Sequence, residues 1–160
     1  MRIGIAMTFA DGYSGGRLHA YLLGIELAAQ GHDVSFVCNR TPGFLSLLPD
    51  LPGRDAARFV PLKFDALRPP GAMRVDLWIV VQERSLFGRF FSPVFENARR
   101  HGTPLLLLTF ETPNWQSALM PGFRPGPLDA LVGEAASLGA QVLSSTEEGR
   151  RWARAYFPQR

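Results

Sequence analysis

The residues of this chain best suited to chemistry sit in four short polar segments, each placed directly after an apolar run. They are Asp11-Gly-Tyr-Ser-Gly-Gly-Arg17, the stretch from Gln82 to Gly88, Glu111-Thr-Pro-Asn-Trp115 and Ser144-Ser-Thr-Glu147. In the first, Gly12, Gly15 and Gly16 allow backbone amides to approach a ligand where a helix N-terminus offers unpaired donors and partial positive charge. A phosphate or a sugar hydroxyl suits such a place, and a plain tight turn would need the same glycines. The segment has neither the G-x-G-x-x-G spacing of a dinucleotide site nor the Lys-Ser/Thr ending of a P-loop, so NAD or ATP chemistry gains little from it. Arg17 and His19 follow within one helical turn, close enough to reach the mouth of a crevice, although a lone histidine is more often a surface or packing residue.

Glu83 and Glu111 are carboxylates that can accept from sugar hydroxyls or act as a base. A salt bridge with Arg84 is the better account of Glu83. Glu111 is the catalytic candidate, because its proline-fixed loop adds the Asn114 amide and the aromatic plate of Trp115. His32 and His101 adjoin helix-ending glycines and suit the negative end of a helix dipole. Three scattered histidines and one cysteine give no metal-ligand spacing, so no metal is expected. Leu86-Phe-Gly-Arg-Phe-Phe91, with Phe95 beyond, is aromatic and basic; it reads first as core and second as a wedge toward lipid. Arg150, Arg151 and Arg154 read as a solvated face, with attraction to anionic lipid as the lesser alternative.

The elements that must hold these segments follow from periodicity. Arg2 to Phe9 is a buried strand; Arg17 to Gln30 puts Leu18, Leu22, Ile25 and Ala29 on one helical face, and Gly31 ends that helix as its C′ residue. Asp33 to Cys38 completes a right-handed β-α-β unit. Prolines punctuate the middle, leaving a short helix at Phe44 to Leu48 and an edge strand at Arg58 to Leu62. Strands are expected at Asp76 to Gln82, Pro104 to Phe110 and Ala140 to Ser144, with helices at Ser92 to His101, Pro127 to Leu138 and Thr146 to Tyr156. Ser145 and Glu148 have the spacing of a capping box. This alternation predicts a single α/β domain over residues 1–160: a Rossmann-like three-layer α/β/α fold on a mostly parallel sheet of about six strands, order 3-2-1-4-5-6. Ligands of such sheets lie beyond the carboxyl ends of the strands, which is where all four polar segments fall.

Composition narrows the partners. Lys and Arg number 17 against 14 Asp and Glu, and a net charge of +3 with no dense basic run argues against nucleic acid. Cys38 alone excludes an internal disulfide and suits a reducing cytoplasm. The first residues lack the zones of a signal peptide, and no apolar run reaches the roughly 20 residues of a membrane span.

Along nearly its whole length the chain resembles the group 1 (family 4) glycosyltransferases of GT-B fold. Ser14-Gly-Gly-Arg-Leu-His19 through Leu27-Ala-Ala-Gln-Gly-His-Asp-Val34 is similar to that family's glycine turn, first helix and second strand. Asp76-Leu-Trp-Ile-Val-Val81 is similar to its fourth strand, and Gly139-Ala-Gln-Val-Leu-Ser-Ser-Thr-Glu-Glu-Gly-Arg-Arg151 to its end-of-domain strand and helix. The resemblance implies the N-terminal, acceptor-side domain of a retaining transferase that moves a sugar from a nucleotide-sugar co-substrate, without another cofactor. It further implies a C-terminal donor-binding domain of the same chain as partner, beginning beyond about Arg160, so that this domain alone is inactive and its uncovered apolar face could self-associate. A sugar acceptor is the other expected partner, in the cytoplasm or peripheral to the inner face of the membrane. Gly15, Gly16, Arg17, His19, Gln82, Glu111 and Asn114 are the substrate- and donor-binding set. Where many members carry a histidine after the fourth or fifth strand, this chain has Gln82 and Glu111. The alternative is a non-catalytic nucleotide- or sugar-binding module, or a flavodoxin-like regulator.

Overall fold

A computed structural model describes residues 1–8, 15–40, 43, 45, 58–61, 73–82, 88–110 and 126–154. Six strands form one sheet: β1 (Arg2–Met7), β2 (Asp33–Cys38), β3 (Arg58–Pro61), β4 (Leu77–Val81), β5 (Leu105–Thr109) and β6 (Gln141–Ser144). Among the described residues four helices accompany them: α1 (Gly15–Ala29), α2 (Gly88–His101), α3 (Gly126–Ser137) and α4 (Glu147–Ala153). The strand order is β3-β2-β1-β4-β5-β6 and every pairing is parallel. This is the three-layer α/β architecture expected from the alternation of elements, with Pro61 on an edge strand where its missing N–H costs no ladder bond inside the sheet.

Two apolar cores lie on opposite faces. Ile3, Ile5, Met7, Val34, Phe36, Ile79 and Val81 face α1, whereas Ala6, Trp78, Val80, Leu105 and Leu107 face α2 and α3. Alternate residues of each central strand thus serve different helices, which is why β1, β4 and β5 read as continuous apolar runs. Helices α1, α2 and α3 each end at a glycine with positive φ, Gly31, Gly102 and Gly139. Beyond each glycine an amide reaches back to the last turn, His32 to Leu27, Thr103 to Ala98 and Ala140 to Ala135, as in a Schellman cap.

Three local expectations change. The buried face of α1 is Ala20, Tyr21, Gly24 and Ile25, while Leu18 and Leu22 are half-buried and Ala29 is exposed. Small residues let the helix settle deeply: Tyr21 stacks on Phe36 at 5.5 Å, and a Cβ on Gly24 would overlap the Phe36 ring. Helix α2 begins at Gly88 instead of Ser92, with Pro93 in its second turn, and carries Phe90, Phe91 and Phe95 into the core. The wedge reading therefore fails for those three rings; Leu86 and Phe87 lie outside the described residues. At α4 the cap is Thr146, whose Oγ1 accepts from the Gly149 amide at 3.0 Å, one residue later than the expected Ser145–Glu148 box. The helix expected at Phe44 to Leu48 lies outside the described residues except for Leu45, which is buried.

The sheet's centre depends on a tight fit. Gly4 and Trp78 are register partners of β1 and β4, and a Cβ on Gly4 would overlap the indole. The indole N–H donates to Asn97 Oδ1 at 3.0 Å, and Asn97 Nδ2 donates to the Met73 carbonyl at 3.2 Å, so this buried polar group is satisfied. Gly4→Val is expected to lower stability by about 1–3 kcal/mol through overpacking, measured by urea denaturation; an unchanged midpoint would show that the fit is slack.

At the opposite edge, Arg2 Nη2 meets Asp76 Oδ1 at 2.6 Å, and the Arg2 amide donates to Asp76 Oδ2 at 2.8 Å. These bonds from Arg2 hold the Asp76 carboxyl down at about 2, below its usual 3.8. A depressed carboxyl contributes stability above its unfolded value and loses it as pH falls through the folded one. Asp76→Asn is expected to flatten the acid dependence of unfolding between pH 4 and 2 relative to the parent chain, as read from denaturation midpoints across that window; both side chains are partly exposed, so the change is small.

Candidate functional site

All six strands run the same way, so their carboxyl ends share one edge, and the order reverses between β1 and β4. β1 leads to α1 on one face and β4 to α2 on the other, which is the topological position where a doubly wound sheet holds its ligands.

On the α1 side, Gly16 and His19 both pack against Phe110. A Cβ on Gly16 would lie 3.0 Å from Phe110 Cδ2, so glycine is what allows the helix start to press on that ring. The exposed His19 imidazole stacks over the same ring, centroids 6.1 Å apart at 22°. Gly15 is exposed with open space where a Cβ would stand, and neither glycine has positive φ. The first turn of α1 has no acidic residue; Arg17 stands in it, half-buried. Such a helix start remains electropositive.

On the α2 side of the same strand ends lie Thr8 and Gln82, both buried. Ala6 and Val80 are register partners in the α2-side core, and alternation puts Thr8 and Gln82, two residues further along each strand, on that same face. The ladder continues through this point, since the Gln82 amide donates to the Leu108 carbonyl at 2.8 Å. Thr8 is 0% exposed and Gln82 2%. Thr8 Oγ1 and both Gln82 side-chain heteroatoms make no hydrogen bond. Cys38, at the end of β2, is held as a thiol because burial raises its pKa.

Of the expected residues, Gly16 and His19 come together on Phe110, with Gly15 and Arg17 beside them at the helix start, while Gln82 belongs to the opposite face of the sheet. Glu83, Glu111 and Asn114 lie outside the described residues. Two participants escaped sequence reasoning. Thr8 was visible as a hydroxyl ending an apolar strand, and Phe110 as a ring at the end of β5, but nothing in the sequence shows that the one is sealed without a partner or that the other supports α1. At β6, the Ser145 amide bonds the Thr109 carbonyl at 3.1 Å and Glu147 pairs with Arg150 and Arg151, the solvated face expected of α4. Among the described residues no group of His, Cys, Asp and Glu could hold a metal ion, and no helix is long and apolar enough to cross a membrane.

No protein-family model matches the chain, and no curated protein matches it. Among solved structures, it is similar to the phenylacrylic acid decarboxylase from Aquifex aeolicus, at 16% identity and a TM-score of 0.53, over 91% of this chain and 81% of that one. It also matches UGT2 of Phytolacca americana, complexed with UDP-2fluoro-glucose and pterostilbene, at 16% identity and a TM-score of 0.42, over 69% of this chain. There the chain spans only 30% of the larger protein. A mutant flavodoxin from Pseudomonas aeruginosa matches at 14% identity and a TM-score of 0.42, over 98% of this chain and 96% of that one. The likeness to the decarboxylase is one of fold alone.

The two neighbouring glycines of α1 are separable by substitution. Gly15→Ala is expected to be neutral or to stabilise by up to about 1 kcal/mol, whereas Gly16→Val costs about 1–3 kcal/mol by driving methyls into Phe110; thermal melts of the two variants check the contrast, and equal effects would remove the ring from the account.

Proposed function

We propose that this chain is the N-terminal, acceptor-binding half of a retaining glycosyltransferase that moves a sugar from a nucleotide-sugar donor to a hydroxyl acceptor. The observation that carries the reading is the reversal of strand order between β1 and β4, where Gly16, Phe110 and His19 pack together at the start of α1 and Gln82 lies buried on the other face of the sheet. The resemblance of successive segments along the chain supports it, as does the electropositive start of α1, which is suited to a diphosphate passing from the donor side. In this reading Gly15, Gly16 and Arg17 lie near the diphosphate, and His19, Gln82 and Asn114 orient hydroxyls. Glu111 handles the acceptor's proton. The donor is held by a further domain of the same chain, no resident cofactor or metal takes part, and the reaction belongs to the cytoplasm or the inner membrane face.

A second reading is a non-catalytic binding module made of this domain by itself; its size is supported by a protein of similar fold of which this chain covers 81%. Domains of this size can therefore stand nearly alone.

Turnover of the natural full-length protein against a panel of nucleotide sugars separates the two. Transfer from one donor is expected, with Glu111→Gln lowering kcat by roughly 10²-fold or more and residues 1–160 alone inactive. A reading frame that stops at Arg160, together with no transfer from any donor, would leave the binding module.

A further inference from the structure

Thr8 and Gln82 are unlike the other buried polar side chains at the sheet. Asn97 both accepts and donates, to Trp78 and Met73, whereas Thr8 Oγ1, Gln82 Nε2 and Gln82 Oε1 have no bond at all. Both residues are sealed, at 0% and 2% exposure, and occupy the next same-face positions after Ala6 and Val80 on adjacent strands. Those preceding positions are apolar, and an apolar side chain of similar shape would suit the fold better here too. The polar pair therefore works against stability at the one place in the sheet where a ligand crevice must open.

We propose that Thr8 and Gln82 together form a subsite for an uncharged ligand group that gives and takes hydrogen bonds side by side. The carboxamide offers a donor and an acceptor fixed next to each other, and the hydroxyl supplies either. Exchanging the amide's oxygen and nitrogen leaves the requirement unchanged, so the conclusion does not depend on how that amide is turned. Among the described residues no carboxylate, lysine, arginine or histidine is buried, so neither a buried anion nor a buried cation finds a counter-charge there. Neutral chemistry of this kind comes from the vicinal diol of a sugar or from the amide edge of a nucleobase. As a statement about a sugar acceptor the inference rests on the function proposed above; as a statement about ligand chemistry it does not.

The test titrates the ¹⁵N-labelled chain with methyl α-mannopyranoside and, separately, with uridine, following the Gln82 side-chain NH₂ signal, assigned by its loss in Gln82→Met. Binding that shifts this signal is expected, with Thr8→Val weakening it roughly tenfold, one hydrogen bond's worth. Circular dichroism and melting of Thr8→Val and Gln82→Met are expected to show native folds of equal or higher Tm. A response to the mannoside supports the subsite and the sugar acceptor together. A response to uridine alone supports the subsite and counts against the acceptor reading. Silence toward both probes, a Gln82 shift that persists with unchanged affinity in Thr8→Val, or a clear drop in Tm that marks the pair as structural would overturn the subsite.

Discussion

The pairing of β1 with β4 is the contact on which the remaining architecture depends. At this seam the chain, having built β2 and β3 outward on one side of β1, returns and builds β4, β5 and β6 on the other. Adjacent β1 and β4 must also supply both faces, since Ile3 and Ile5 of β1 face α1 while Gly4 and Ala6 face the other layer. Trp78 fills the space that Gly4 vacates, and its indole N–H would be a buried orphan without Asn97. One small residue, one large ring and one amide thus fix the separation of β4 from α2. The Arg2–Asp76 bonds fasten the same seam where the strands begin.

Register carries that constraint to the other end of the seam. Once Gly4 lies opposite Trp78, the pairs Ile5–Ile79 and Ala6–Val80 follow, and the two-residue side-chain period puts Thr8 and Gln82 on one face at the strand ends. A slip of β4 by one residue against β1 would turn Gln82 toward α1 while Thr8 stayed on the α2 face, and would exchange the faces of Trp78 and Ile79. The packing that sets stability at one end of the seam is therefore the packing that places polar atoms at the other.

The strands and the ends of two helices were legible in the sequence from local signals, apolar runs of strand length and the glycines Gly31 and Gly102, while strand order and direction came from the rules for β-α-β connections. The buried face of α1 was less legible, since the leucine pattern points to Leu18 and Leu22 while the depth of contact is decided by Ala20 and Gly24. Hydrophobic periodicity weights large side chains; close approach is made by absent ones. Phe90, Phe91 and Phe95 were read first as core, as they are, but the start of α2 was set at Ser92, because nothing in the sequence shows that Phe90 and Phe91 already belong to the helix that carries Val94, Phe95 and Ala98 into that core. At α4, Ser145 and Thr146 are both competent caps, and the Ser144 hydroxyl, which accepts from the Thr146 amide and donates to its carbonyl, settles the helix start on Thr146. Gln82 was legible as a position at a strand end; its want of a bonding partner is a property of three dimensions.

The two sides of the proposed site would impose different kinds of selection. On the α1 side, a ring supports a helix start that lacks acidic residues, and such a surface attracts negative charge over a distance without reading detail. On the α2 side the polar atoms are neutral and sealed, so they act only at contact. Buried groups of that kind discriminate strongly: an analogue that lacks the matching hydroxyl or amide leaves them unpaired, whereas an extra methylene elsewhere changes little. Under the proposed function, attraction and recognition would fall on opposite faces of one sheet, and both would be positioned by the same seam between β1 and β4.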